Sequence, residues 1–399
     1  MAWVVLLIAS AVTAAVGILL LVDWRWLRHL PALRVAPAAT DSAPPQRVSI
    51  IIPARNEEAS IARCLDGALR QTASNASNIE VIVVDDGSTD ATPHILGEYA
   101  ARYPQMRVVQ GRPLPPGWIG KCNACQHGSE FAAGQWLLFL DADTEAGPNL
   151  VANMLTTTRQ HQLDVLSVFP LNHLGSISER LILPIFWRLA FTVFPAIKHW
   201  NPIMPARSAL AVGQCLMFRA EAYRAVGGHG AVRNRVLEDV EFAQVMRRAG
   251  YRLAVVAGLD DIAVRMYQNF AQVRQGLAKH AHAGQRLSGW RAYWGMFSNA
   301  LLSVVPVCAL ALVLIGTQWG WLDTLSNMAL VVSGLGYALS LAYWLRWYRQ
   351  LFRLSVSRSL GLALLAPLSV LAHMSITGLG VLRVASKRGV MWKGRAVEG

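Results

Sequence analysis

The sequence predicts an α/β domain with a mostly parallel, doubly wound sheet, joined to helices of membrane type. Between Val48 and Ala133, short apolar runs alternate with amphipathic helical stretches, the spacing of βαβ units. Two runs, Val81–Val84 and Trp136–Leu140, end in acids, Asp85-Asp86 and Asp141-Ala142-Asp143, and Glu238-Asp239 follows downstream. Carboxylates at the carboxyl ends of parallel strands face the crevice where open sheets bind ligands. Long uncharged apolar segments stand towards both ends of the chain.

Composition supports the same division. Of 399 residues, 54% are apolar and 15% charged, with 14 tryptophans, too greasy for one ordinary soluble domain. Lys and Arg outnumber Asp and Glu 37 to 24, a net charge of +13. The basic residues crowd the edges of apolar runs, where they set orientation and meet anionic headgroups. The expected partner is therefore a membrane and no nucleic acid. The five cysteines form no disulfide framework, and Cys122-Asn-Ala-Cys125 lacks the second pair that closes a zinc site.

Residues 1–22 read as an uncleaved membrane anchor, since the run from Ala2 to Val22 approaches the roughly 20 residues that span hydrocarbon. Arg25, Arg28 and Arg34 follow it and put the downstream side in the cytoplasm. Residues 23–46 form a juxtamembrane linker, with interfacial aromatics at Asp23-Trp-Arg-Trp26 and an Ala/Pro-rich stretch over 35–46. The globular domain covers 47–290. Its strands are Val48–Ile52, Val81–Val84, Arg107–Val109 and Trp136–Leu140, with a loop at Pro53–Glu57. Helices are expected over Ser60–Arg70, Thr92–Ala101, Lys121–Ala133 and Val240–Ala249. Segment 181–197 is apolar but holds Arg188 and two prolines, and reads as an interfacial element on the bilayer, with a buried core helix as the alternative.

Residues 291–382 hold about three further spans, Tyr293–Gly316, Leu325–Leu345 and Leu360–Leu382, and 383–399 form a basic tail. The loop after the first carries no Lys or Arg, and that after the second carries Arg346, Arg349, Arg353 and Arg358, which makes them external and cytoplasmic. Pro367 is placed to break the last span into a re-entrant element. The expected location is a cell inner membrane, multi-pass, with the globular domain facing the cytoplasm.

Asp141-Ala142-Asp143 carries the sharpest chemistry. Mg²⁺ and Mn²⁺ prefer oxygen and share one or two protein carboxylates with substrate phosphates. In an extended triplet both carboxylates face one side, one towards a metal and the other towards a ribose or a metal-bound water. Asp85-Asp86 ends a strand, where a carboxylate accepts from a base N–H; a plain turn is the rival reading. Pro53, Arg55 and Glu57 lie on a loop of the kind that meets nucleotide, and no GxGxxG is present. Lys121 adds a cation for a pyrophosphate, against its reading as a solvated helix start. Glu238-Asp239 opens a helix, where the dipole favours acids in any case; the catalytic reading makes Asp239 a general base.

From Val48 to Asp143 the chain resembles the family-2 inverting glycosyltransferases of the GT-A fold. The matching residues are Ile-Ile-Pro-Ala-Arg-Asn-Glu57, Val-Val-Asp-Asp-Gly-Ser-Thr-Asp90, Gly120-Lys121 with Ala124, and Leu-Phe-Leu-Asp-Ala-Asp143. Gly213-Gln-Cys-Leu-Met-Phe-Arg219 and Gly227-Gly228 resemble its acceptor half. The anchor, the later spans and Met391-Trp-Lys-Gly-Arg395 resemble the membrane branch that modifies lipids, including ceramide, carotenoid and hopanoid-associated enzymes. The resemblance implies a Rossmann-like GT-A domain that transfers a sugar, glucose in expectation, from a UDP-sugar to a lipid acceptor. Asp85 and Asp86 would hold the base, Asp141 the ribose side and Asp143 the Mg²⁺ or Mn²⁺, and Asp239 would act as base. Where processive synthases and ceramide-type enzymes carry Q/R-x-x-R-W, this chain has Gln272-Val-Arg-Gln-Gly276, without the Arg-Trp pair. That departure weighs against a processive polysaccharide synthase. A non-catalytic membrane scaffold is the other alternative, opposed by the intact acids at all three positions. No charged pathway shows along the apolar segments, which weighs against a transporter.

Overall fold

The computed structural model describes residues 2–28, 30–34, 46–71, 78–195, 202–318, 326–385, 390–392 and 395–397. Most of the 35–46 linker, and Lys387, Arg388 and Lys393 of the tail, lie outside them. The chain opens with helix α1 (Ala2–Arg28). From there β1 (Val48–Ala54), α2 (Ile61–Leu69), β2 (Ile79–Asp85), α3 (Thr92–Arg102), β3 (Met106–Gln110), α4 (Gly120–Glu130) and β4 (Trp136–Leu140) alternate. Next come β5 (Thr144–Ala146), α5 (Leu150–His161), β6 (Val165–Phe169), β7 (Leu171–Asn172) and helix α6 (Ile177–Val193). Strand β8 (Cys215–Arg219), α7 (Ala220–Ala225), α8 (Glu238–Arg248), β9 (Leu253–Ala257) and β10 (Ile262–Val264) follow. Helices α9 (Phe270–Ser288), α10 (Trp290–Gln318), α11 (Ser326–Phe352), α12 (Val356–Leu364) and α13 (Ala366–Ala385) precede a hairpin, β11 (Val390–Trp392) and β12 (Arg395–Val397). Two compact units result, one of residues 1–29, 174–193 and 267–388, the other of 30–173, 194–266 and 389–399.

The second unit is built on a seven-stranded mixed sheet of order β3-β2-β1-β4-β8-β6-β9. Its pairs are parallel except where β8 runs antiparallel to β4 and β6. Ile50, Ile52, Val81, Val83, Leu138 and Leu140 are buried in one core cluster, as expected of central strands whose two faces are both covered. Helix α4 lies close over the sheet: a Cβ at Gly128 would stand 2.7 Å from Ile51 Cγ2 and 2.9 Å from Val84 Cγ2. Pro53 and Ala54 belong to β1 and not to the loop read from sequence. Pro53 is tolerated there because the β1–β4 pairing ends at Ile51, so no bond on that side needs its missing N–H. A second small sheet, β5-β10-β7, follows the acidic triplet.

The first unit is helical. Three of its helices, Trp3–Arg28, Trp290–Gln318 and Asn327–Phe352, are long and apolar enough to cross a membrane. α12 and the Ala366–Gly380 part of α13 form a fourth candidate, bent by 61°. The break falls at Leu365, just before Pro367, the residue expected to interrupt that segment. α1 and α11 run alongside in the same direction: Thr13 Oγ1 donates to Val332 O, and Asp23 meets Tyr343. α10 is antiparallel to them, with Val313 packed at Leu6 and Leu302 at Ser340. The helices α6 and α9, assigned from sequence to the globular domain, are grouped with the helical unit. α6 buries Leu183, Ile185, Trp187 and Phe191 there, and Trp347 Nε1 donates to Pro184 O at 3.1 Å. Of segment 181–197, residues 196–197 lie outside the described residues.

Arg188, a lone charge on an apolar stretch in the sequence, is 1% exposed at the centre of this unit. Its Nε donates to Tyr343 Oη at 2.7 Å, and its Nη1 donates to Ser298 Oγ at 3.0 Å and Asn299 Oδ1 at 2.5 Å. Asp23 accepts from Tyr343 Oη at 2.6 Å and from Trp26 Nε1 at 2.9 Å, and stands 3.6 Å from Arg188 Nη2. The network ties α1, α6, α10 and α11 together.

Candidate active site

Strand β4 delivers Asp141 at its carboxyl end, and the register sets it beside Gln214, whose carbonyl accepts from Asp141 N at 3.2 Å. The triplet is a turn and not the extended run inferred from sequence. Thr144 causes the bend, donating from both N (3.1 Å) and Oγ1 (2.7 Å) to Asp141 O. Ala142 is 2% exposed, while Asp141 and Asp143 on either side of it are half-buried.

Lys121, the second residue of α4, reaches Asp141 with its ammonium 2.7 Å from Oδ1 and 3.1 Å from Oδ2. The same ammonium lies 2.9 Å from Glu238 Oε1 at the start of α8. These two partners hold the Lys121 pKa well above its ordinary value although burial opposes it. Asp239 does not pair with the lysine. Its Oδ2 accepts from Gly213 N at 2.9 Å and its Oδ1 from Val240 N at 2.8 Å, so two backbone donors fix the carboxylate. Burial first, and the Glu238 charge second, raise its pKa to about 6. Gly213 sits between the two groups: a Cβ there would stand 3.3 Å from Asp239 Cβ and Oδ2 and 3.3 Å from Lys121 Nζ. Five residues from four separate stretches thus meet, and the sequence assigns roles to Lys121, Asp141 and Asp239 but gives Glu238 and Gly213 none.

Glu57 and Asp143 approach the same region through Cys64 on α2. The Cys64 thiol donates to Asp141 O at 3.5 Å, and burial followed by the charges of Asp143, Asp141 and Glu57 pushes it up to about 12. The Glu57 carboxylate itself accepts from Ser60 Oγ at 3.1 Å, fixing the entry to α2.

The turn after β2 is a second group. Asp85 spends Oδ1 on Ser88 N at 3.0 Å, whereas Asp86 is 7% exposed and its carbonyl accepts from Arg55 Nη1 at 2.5 Å. The tandem acids therefore differ: the Asp85 carboxylate shapes the turn, and Asp86 holds Arg55 through its carbonyl. Asn56, which the sequence reading passed over, locks the β1 and β2 loops together. It adopts φ 51°, accepts from Thr89 N at 2.8 Å and donates from its own N to Ser88 Oγ at 3.0 Å. Its signal was an asparagine after a strand, a residue that tolerates the left-handed region.

Lys121 is one cation among three clustered carboxylates, Asp141, Glu238 and Asp239, with Asp143 two residues along. Among the described residues no three His, Cys, Asp or Glu converge as a ready metal cage. Hard oxygen donors in acidic excess, too few to enclose an ion, suit Mg²⁺ or Mn²⁺ completed by substrate phosphates. Asp143 is the residue that would hold such an ion.

A family model, Glycosyl transferase family 2, matches residues 49–226. The chain carries a family-2 glycosyltransferase domain. That glycosyltransferase domain has a GT-A-like α/β fold, and the Asp85–Asp86, Lys121 and Asp141–Asp143 positions all fall inside the matched region. The chain is 28% identical over 242 residues to 4,4'-diaponeurosporenoate glycosyltransferase of Staphylococcus aureus (strain USA300), covering 59% of this chain and 61% of the relative. The enzyme of the same name from Staphylococcus haemolyticus (strain JCSC1435) is 26% identical over 247 residues, covering 60% and 62%. The chain thus spans about three fifths of the length of the curated relatives it matches. Among solved structures, a mannosyltransferase from Pyrobaculum calidifontis in complex with GDP-Man and Mn²⁺ is 20% identical, with a TM-score of 0.48, covering 85% of this chain and 98% of that one.

Proposed function

We propose that this chain transfers one sugar, glucose in the first instance, from a UDP-sugar to a membrane lipid of carotenoid type, with inversion at the anomeric carbon. The observation that carries the reading is Asp239, a carboxylate pinned by Gly213 N and Val240 N beside the Lys121–Asp141 pair. Asp239 takes the proton of the acceptor O–H, the acceptor oxygen bonds to the sugar's anomeric carbon, and the bond from that carbon to the diphosphate oxygen breaks on the opposite face. UDP leaves, and the glycosidic bond is inverted. Lys121 meets charge on the diphosphate, Asp86 and Arg55 face the base, and Asp141 faces the ribose. Asp143 would hold Mg²⁺ or Mn²⁺, which would supply positive charge against the leaving group.

The names of the staphylococcal relatives, which are diaponeurosporenoate enzymes, point to a carotenoid acceptor. The cytoplasmic, multi-pass placement in a cell inner membrane is supported by charge. Arg25 and Arg28 of α1, Arg291 of α10 and Arg346 and Arg349 of α11 share one end of the helical unit, and no Lys or Arg lies between Gln318 and Ser326 at the other.

Membranes containing the chain, incubated with radiolabelled UDP-glucose and Mn²⁺ and extracted with organic solvent, test the reading. Label in one discrete lipid is the expected result. Label confined to insoluble polymer overturns it in favour of a synthase. Asp143→Ala should weaken the response to Mn²⁺ by more than the roughly 10–100-fold that loss of a mere supporting partner costs; an unchanged Mn²⁺ titration removes Asp143 as the metal residue.

A further inference from the structure

We propose that Glu238 is a positioning residue for donor binding: it anchors the Lys121 ammonium so that the lysine meets the donor diphosphate already oriented. The inference deepens the reading above and rests on its nucleoside-diphosphate donor. A lysine side chain has many rotamers, and an unanchored one must be ordered as the ligand binds. Lys121 has two anchors from different elements, Asp141 at 2.7 Å and Glu238 at 2.9 Å. Asp141 is also the residue proposed to engage the ribose, so Glu238 is the anchor that is given no contact with the donor itself.

The adjacent acids divide the work. Asp239 turns both oxygens to backbone N–H groups, and Glu238 turns to the cation. Gly213, which faces both Asp239 and Lys121, places no side chain between them. The plain alternative is that Glu238 only complements the dipole at the start of α8. Its side chain, however, is 14% exposed and its lysine partner 33% exposed. That burial exceeds what is typical of surface ion pairs, whose contribution is near zero.

The test uses the full-length protein and three variants, Glu238→Gln, Lys121→Met and the double substitution. UDP binding with Mn²⁺ is measured by calorimetric titration, which needs no acceptor, and donor KM and kcat by lipid labelling. The expected result for Glu238→Gln is UDP binding weaker on the order of tenfold, with a matching rise in donor KM and a much smaller change in kcat. In the Lys121→Met background the same substitution should change nothing further. Unchanged UDP binding, or an equal additional loss in the Lys121→Met background, overturns the proposal. If Glu238→Gln does not fold, the double variant, which leaves no unpaired charge of the pair, is compared with Lys121→Met: equal UDP affinity supports the anchor and weaker affinity overturns it. Wild-type protein that binds UDP but labels no lipid counts against the acceptor alone, and the binding comparison still decides Glu238. Wild-type protein that binds neither UDP nor GDP with Mn²⁺ overturns both readings.

Discussion

Each unit of this molecule is organised around a cation, Arg188 fully buried and Lys121 partly exposed, and the two are finished differently. Arg188 in the helical unit meets one acid, Asp23, and its remaining donors go to Tyr343, Ser298 and Asn299, all neutral. The charges cancel and the donors are used. Lys121 in the glycosyltransferase domain meets Asp141 and Glu238, with Asp239 beside them, so acids outnumber the cation. A closed, neutral network specifies which helices pack together. An acidic remainder is a place for a positively charged ligand group to arrive. The comparison teaches that burial and hydrogen bonding alone do not mark a functional charge; unbalanced charge at a partly open surface does.

Substitutions should separate the two clusters along that line. The largest effect is expected from Asp239→Asn, which removes the base and turns an amide NH₂ to one of its two backbone donors: transfer falls about 10³-fold, with only a modest fall in melting temperature. Equal loss of activity and of melting temperature would make Asp239 another Arg188. Arg188→Met leaves Asp23 buried without its cation and should destabilise the protein by about 3–5 kcal/mol, read from thermal unfolding in detergent, with Asp23→Asn in that background restoring part. A melting curve that hardly moves breaks the idea of a closed structural network.

The next effect is of pH, and its two signs oppose. Asp239 has a folded pKa near 6, above the ordinary aspartate value, so the fold binds its proton more tightly than the unfolded chain does. Its contribution to stability is therefore recovered as pH falls through about 6 towards 4 and lost as pH rises through 6. Activity needs the ionised base and should fall by half near pH 6 as the pH is lowered, as a pH–rate profile would show. The smallest effect is that of Gly213→Ala, whose methyl would sit 3.3 Å from both Asp239 and Lys121. It should slow transfer roughly tenfold through misplacement, with little change in melting.

The sheet was legible because its signals are local. Val81–Val84 and Trp136–Leu140 are continuous apolar runs, and each ends in acids as a ligand-binding strand end should. The turn at Asp141–Asp143 was not, because Thr144 folds back on Asp141 O, and nothing in the triplet announces that. Nor can tandem acids be told apart by reading: only the Ser88 N–H assigns Asp85 to the turn. Glu238 read as an ordinary first-turn acid because its partner lies in α4, far back in the chain. The same distance hid Arg188, whose acid is at the end of α1 and whose hydroxyl partner is on α11. Segment 181–197 accordingly reads as an apolar run with one charge, and only the folded chain groups residues 174–193 with the helical unit.

The cysteines give the protein a practical property. Cys64, Cys122, Cys125 and Cys215 are buried, and burial raises the thiols of Cys64, Cys125 and Cys215, Cys64 to about 12. Thiols that stay protonated and covered react slowly with alkylating reagents. Cys308 alone is exposed, midway along α10. A membrane-impermeant maleimide should therefore leave the native chain untagged. Cysteines placed one at a time in the polar ends can then be scored against this quiet background, each reporting its side of the membrane without prior removal of the native thiols.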